Sequence, residues 1–486
     1  MPATARLETT PIGAPAIDER MQSILRAQQD AFRIDMNPTR ELRLDRLARI
    51  ERLLDADAER EFAARIAEDF GNRSMVETVL AESIFTRAAI KHTRRHLRAW
   101  MKPRRVPTAM TYWPGRSRLR CQPLGVVGII SPWNYPLQLT LAPLVAALAA
   151  GNRAMVKPSE LTARFAQALQ QRIANVFAPE EVAIVTGDAT VGKGFAALPF
   201  DHLVFTGSTA VGRLVAQAAA RNLTPVTLEL GGKSPVVIDA SADLPLAAER
   251  IAFGKLLNAG QTCIAPDYVL VPSAIKDAFI AALRAAMTRM YPRFQGNPDY
   301  TSIVSDGHHQ RLRELVADAQ ARGAQVISLA SADEEPDPST RQLAPSVLLG
   351  VDDTMRVMQE EIFGPLLPVV TCDSTQAAID YVNARERPLA LYWFGSDRVS
   401  RERVLTQTIS GGVTINDTLL HVAQEGLPFG GVGPSGQGHY HGEFGFRELS
   451  KEKPVFFQSR FSGVRLLYPP YRPFTAKMLE ILKRIS

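Results

Sequence analysis

Apolar positions between residues 17 and 100 recur at intervals of three and four. Leu42, Leu44, Leu47, Ile50, Leu53 and Leu54 follow this spacing with arginines between them, which predicts amphipathic helices. The stretch PRRVPTAMTYWPGRSRLRCQPLG (103–125), with its prolines and alternating apolar residues, predicts a short β-hairpin. Then the texture changes. LGVVGIIS (124–131), RAMVKPS (153–159), VAIVTG (182–187), HLVFTGS (202–208) and TPVTLELG (224–231) read as strands, and helical patterns at 136–151, 161–177 and 209–222 fall between them. Such alternation makes βαβ units and a parallel sheet covered on both faces, with ligands beyond the carboxyl ends of the strands. A second alternating region starts near Ser234. It holds strands at SPVVIDAS, YVLVPS, QVISL, SVLLG and LLPVV, a helix over 246–260 and another ending near Met290. The expected fold is α/β, with two parallel-sheet domains and a small β element.

Bulk composition narrows the class. A chain of 486 residues with 46% hydrophobic and 22% charged residues is that of a soluble protein with more than one domain. The longest apolar run, Leu139–Ala150, is interrupted by Thr140 and Pro143 and falls short of the roughly 20 residues a membrane span needs. The opening MPATARLETTPIGAP has no apolar core of a signal peptide, so the expected location is the cytoplasm. The net charge of +6 is mild, with the excess between Arg40 and Arg120, including RRHLRAWMKPRR (94–105). No nucleic-acid motif accompanies it, and it reads as a solvated helix face. SADEEPDPST (331–340) reads as a surface loop. The tail ends in a short basic amphipathic stretch, expected to pack on the body or a partner subunit rather than on a membrane. Three cysteines, at 121, 263 and 372, suggest no disulfide framework, and no metal site is expected.

Candidate chemistry lies where strands end. Gly187-Asp-Ala-Thr-Val-Gly192-Lys193 has the spacing of a phosphate-binding loop, but Gly194 stands where that motif needs a hydroxyl. FTGSTAVG (205–212) joins a strand to a helix start whose N–H groups suit a pyrophosphate. In SPWNYP (131–136), Asn134 either caps the next helix or donates to a developing oxyanion. Lys157 and Glu160 of VKPSE suit sugar hydroxyls. Glu229 closes an apolar strand before two glycines, a poorly solvated place that raises a carboxyl toward the range of a general base. Cys263, in NAGQTCIAPDYVL, is either apolar filler or a working thiol.

Together, SPWNYP, KPSE, FTGST, LELGGKSP (228–235), GQTCIAPD (260–267), EEIFGPLLPV (360–369) and LPFGGVGPSGQG (427–438) occur in order along the chain. They resemble the signature segments of the NAD(P)-dependent aldehyde dehydrogenases. GQTCIAPDYVL and HYHGEFGFRELS are similar to the class 3 branch, and within it GVVGIISPWNYPLQL, IAFGKLLNAGQTC and the RFSGVRLLYPPY tail are similar to the bacterial coniferyl aldehyde dehydrogenases. The resemblance implies a Rossmann-like NAD(P)-binding domain (1–105 and 122–229) and a catalytic domain (230–430). Residues 106–121 and 431–486 would form a bridging hairpin, an interface strand and a tail. It further implies Cys263 as the nucleophile that forms a thiohemiacetal and then a thioester. Asn134 would be the oxyanion donor and Glu229 the base that hydrolyses the thioester. Ser131, Trp133, Lys157, Ser159, Glu160, Gly207, Ser208, Glu361 and Phe363 would contact NAD or NADP, with Glu160 favouring NAD. Tyr135, Leu139, Thr262 and Ile264 would line the substrate tunnel. The implied substrate is coniferyl aldehyde, with aliphatic aldehydes as the alternative; a thiol esterase is the reading from another class. The implied assembly is a homodimer or a dimer of dimers.

Overall fold

The computed structural model describes residues 18–331, 334, 337–471 and 473–485. The reading of the first fifteen residues, and part of the loop expected at 331–340, lie outside them. The helical region comes first: Glu19–Ile34, Arg40–Arg52, Ala56–Phe70 and Ile84–Trp100, the last entered through Met75–Thr78 and a π-helical turn at Val79–Ser83. Asp18, Thr39 and Asp55 accept N–H groups at the first three starts. Not all of the arginines here are solvated, contrary to the expected basic face. Arg43 and Arg46 are buried. Arg43 donates to the carbonyls of Ala149 and Ala150 at 3.0 and 2.7 Å, satisfying the carboxyl end of another helix where positive charge is favoured. Arg46 bonds Glu181 at 3.0 Å.

The strands in chain order are β1 (Arg104–Val106), β2 (Arg116–Pro123), β3 (Val126–Ile130), β4 (Arg153–Lys157), β5 (Val182–Ile184), β6 (His202–Thr206), β7 (Val226–Glu229) and β8 (Pro235–Ile238). They continue with β9 (Tyr268–Val271), β10 (Gln325–Ser328), β11 (Ser346–Leu349), β12 (Leu366–Thr371), β13 (Ala390–Phe394), β14 (Gly412–Ile415), β15 (Gly436–Gln437) and β16 (Ser450–Phe457). The first large sheet has the order β15-β7-β6-β3-β4-β5, and the second β10-β11-β12-β9-β8-β13-β14. Each is parallel except for one antiparallel edge strand, β15 in the first and β10 in the second. The two parallel-rich sheets are those of the expected pair of α/β domains. The helix Gln138–Ala150 packs within the first body, with every residue from Leu139 to Ala150 buried, and ends on Gly151. The predicted hairpin β1–β2 forms, and β16 adds to β2 along eight residue pairs from Ser450↔Pro123 to Phe457↔Arg116.

Two strands of the second sheet, β13 and β14, have no counterpart in the sequence reading. The helix expected over 246–260 also stops short: it spans Leu244–Leu256, and Leu257 turns to extended geometry. The chain passes from the first sheet to the second directly after Glu229, through Gly231 and Gly232 to β8. The carboxyl end of the first sheet therefore meets the amino end of the second at this crossing.

Candidate active site

Strands β3, β6 and β7 and the loop before β9 open onto one cleft of about 830 Å³. Trp133, Asn134, Leu139, Gly207, Ser208, Glu229, Cys263, Glu361 and Phe363, nine of the residues expected at the site, line it. The others stand outside its lining. Ser131 is buried and shares a 2.6 Å hydrogen bond with Thr140. Lys157 donates to Glu160 at 2.9 Å, and Ser159 caps the short turn that Glu160 begins. Tyr135 and Thr262 share a 2.7 Å hydrogen bond, and the Ile264 carbonyl accepts from the Tyr392 hydroxyl. Of the residues expected along the substrate path, Leu139 alone reaches this cleft.

Asn134 does not cap the helix after it. That task falls to Glu82, whose Oε2 accepts the N–H groups of Leu137 and Gln138 at 2.7 and 3.1 Å. The Asn134 amide instead reaches the thiol loop, donating to the Gln261 carbonyl at 3.2 Å. An amide carries two N–H donors, so this bond leaves the group a second one. The thiol loop is strained. Asn258 and Ala259 adopt φ values of 54° and 50°, a region costly for residues with a Cβ. Asn258 Nδ2 offsets this by donating to the carbonyls of Asn134 and Gln261, both at 3.0 Å. Gln261 Nε2 donates to Asn258 and Ser302, at 3.0 and 3.1 Å. Next in the loop, a Cβ on Gly260 would stand 2.4 Å from the Gly364 carbonyl oxygen, so only glycine fits.

Burial sets the electrostatics. Glu229 is 2% exposed, and neither carboxylate oxygen has a hydrogen-bond partner among the described residues. Burial and the neighbouring Glu448 raise its carboxyl well above the ordinary range. Cys263 sits half-buried in the cleft wall. Burial and the Glu361 and Glu229 carboxylates push its thiol up to about 12. Glu361 is itself pushed up to about 8, by burial and Asp267. Its segment is anchored by Lys233, which pairs with Asp267 and donates to the carbonyls of Val357 and Glu360 at 2.8 and 3.0 Å. A Cβ on Gly231 would fall 2.0 Å from Glu361 Oε2. Phe363 holds φ at 53° and packs edge-on to Trp133, with 5.3 Å between ring centroids.

The cleft suits a dinucleotide. Ser208, Thr209 and Ala210, at the start of the helix Thr209–Ala220, line it together with the thiol, so a helix N-terminus that favours anionic groups opens into the same space as a nucleophile. Asn258 and Gln261 had no role in the sequence reading, although two amides within five positions of Cys263 were a visible signal. His308 and Arg311, which also line the cleft, come from the helix Asp306–Ala321 and carried no local signal.

Comparison with known proteins identifies the class. The aldehyde dehydrogenase family matches residues 12–455, and the chain belongs to that family: it is an oxidoreductase that converts an aldehyde to its carboxylic acid using NAD(P). The coniferyl aldehyde dehydrogenase of a Pseudomonas sp. is 47% identical over 474 residues, covering 97% of this chain and 98% of that one. The probable coniferyl aldehyde dehydrogenase of Pseudomonas aeruginosa is 47% identical over 460 residues, covering 95% of each. Among solved structures, the substrate-bound state of Staphylococcus aureus AldH is similar with a TM-score of 0.89 at 38% identity, covering 95% of this chain and 99% of that chain.

Proposed function

We propose that the protein oxidises coniferyl aldehyde, with Cys263 as nucleophile, Asn134 as oxyanion donor and Glu229 as general base. The observation that carries the choice of substrate is the full-length similarity, 47% over 474 residues, to an enzyme bearing that name. In the reaction, the Cys263 thiolate attacks the carbonyl carbon and forms a C–S bond. The carbonyl oxygen gathers charge beside the free N–H of the Asn134 amide and the Cys263 backbone N–H. Lys157, Ser159 and Glu160 would hold the adenosine ribose of NAD(P), Gly207 and Ser208 the pyrophosphate, and Ser131, Trp133, Glu361 and Phe363 the nicotinamide end, whose chemistry when bound is to accept a hydride. Hydride loss from the thiohemiacetal carbon leaves a Cys263 thioester. Glu229 then takes a proton from the water that attacks the thioester, releasing the acid and restoring the sulfur.

NAD is the favoured cofactor in this reading, because the Glu160 carboxylate, still part-exposed beside Lys157, would repel a 2′-phosphate. The three-stranded sheet β1-β2-β16 is the proposed subunit interface, in a homodimer or dimer of dimers located in the cytoplasm. The first sheet with its helices is the proposed cofactor domain, and 230–430 the catalytic one. The deciding test is a panel of kcat/KM values for coniferyl, benzyl and medium-chain aldehydes with each cofactor. Coniferyl aldehyde with NAD is expected to lead. A medium-chain aliphatic aldehyde leading by about tenfold or more, a gap of about 1.4 kcal/mol, would overturn the substrate; ester cleavage without cofactor as the dominant activity would overturn the reaction.

A further inference from the structure

Beneath the Asn134 segment lies a buried ion-pair cluster that none of the roles above uses. Arg73 follows the helix Ala56–Phe70, and Glu82 lies on the π-helical turn Val79–Ser83. Both side chains are 0% exposed, with Arg73 NH1 3.1 Å from Glu82 Oε1. The same Arg73 nitrogen donates to the Asn134 main-chain carbonyl at 3.0 Å, the oxygen that also accepts from Asn258 of the thiol loop. Glu82 Oε2 holds the Leu137 and Gln138 N–H groups, and the Arg73 guanidinium lies 5.0 Å from the Tyr135 ring centroid. Glu77 completes the cluster, 3.9 Å from Arg73 and accepting from the Thr301 hydroxyl at 3.1 Å. The main chain from 134 to 138 is thus gripped by one arginine and one glutamate from a helical layer that does not line the cleft.

Stability alone is a poor reason for such a cluster. Desolvating two charges costs about as much as their attraction returns, and apolar side chains of similar volume often serve as well. A buried pair whose members each hydrogen-bond the main chain does supply a fixed position for what it holds. Here that is the peptide carrying the Asn134 amide, and rotation of this peptide would swing the amide away from the thiol loop it reaches. We infer that Arg73 and Glu82 are positioning residues for the first half of the reaction, setting the Asn134 amide over Cys263 while leaving thioester hydrolysis to Glu229. The inference rests on the oxyanion role proposed for Asn134.

The test is the first-turnover burst of reduced cofactor at 340 nm in Arg73→Met, Arg73→Lys, Glu82→Gln, Asn134→Ala and the Arg73→Met/Asn134→Ala double variant, with cofactor affinity measured alongside. Arg73→Met is expected to slow the burst on the order of tenfold to a hundredfold, the scale of a small misplacement of a catalytic group. Cofactor affinity should hold, and the double variant should be no slower than Asn134→Ala alone. Lysine at 73 keeps the charge but not the planar guanidinium that places it, so it should recover part of the rate. If Arg73→Met does not fold, the isosteric Glu82→Gln carries the same expectation. A burst within about twofold of the parent in both, or losses that multiply in the double variant, would overturn the inference. Asn134→Ala discriminates the two readings: if it leaves the burst intact, the role of Asn134 fails first; if it is slow while Arg73→Met is fast, only the positioning role fails.

Discussion

Glu229 and Cys263 both sit where burial holds them in the protonated form, the opposite of the form their proposed chemistry needs. With the thiol pushed up to about 12, the thiolate fraction grows roughly tenfold with each pH unit below that value. Iodoacetamide labelling of Cys263 without cofactor should therefore keep rising from about pH 7 to about pH 9; a plateau below about pH 8 would contradict this. Where Glu229 is ionised its charge raises the thiol, so in Glu229→Gln the labelling profile should move to lower pH. The same variant should keep its first-turnover burst and lose steady-state rate on the order of a hundredfold, the usual contribution of a general base. An unchanged steady-state rate would remove Glu229 from that role. The residue types at 134, 229 and 263 were readable because each stands in a motif next to a strand, after β3, at the end of β7 and before β9. The raised carboxyl of Glu229 was readable too, from its apolar strand, whereas the raised thiol of Cys263 was not, since it depends on burial and on Glu361 arriving from a distant segment.

At the scale of elements, backbone fit decides more than propensity. A methyl group at position 231 would fall on Glu361, so Gly231→Ala should raise the KM for NAD by about tenfold at saturating aldehyde; an unchanged KM would show that Glu361 has room to retreat. Arg43→Met strips the bonds to Ala149 and Ala150. It should cost about 1–3 kcal/mol of stability, the penalty for buried groups left unpaired, read as a lower thermal midpoint with kcat little changed. Most strands of the first sheet were legible because apolar runs bounded by glycine and proline have few other readings. ALYWF, which forms β13, carries the same signal between Pro388 and Gly395 but has no counterpart in the sequence reading. The end of the helix at Leu256 was not legible in this way. The left-handed turn at Asn258 is held by Asn134 and Ser302, contacts that local spacing does not reveal.

Across the whole molecule, the ordered motifs located the cleft, but they did not say which motif residues face it. Tyr135, Thr262 and Ile264 belong to the right segments and still lie outside its lining, because neighbours in a sequence alternate between a wall and what supports it. One further arrangement joins distant parts of the chain. Gly436 pairs with Glu229 across the edge of the first sheet, and the Leu230 N–H donates to the Ser435 carbonyl at 3.1 Å. The strand bearing the proposed base thus gains its outer neighbour from a segment translated long after Cys263. A nascent or clipped chain ending at Gly426 has all three chemical groups and yet leaves that strand a bare edge. Such a chain should give no aldehyde-dependent reduction of NAD, which an assay of the truncated protein can check. Late completion of the catalytic strand would keep aldehyde oxidation a property of finished chains, and keep fragments from holding substrate as unreleased thioesters.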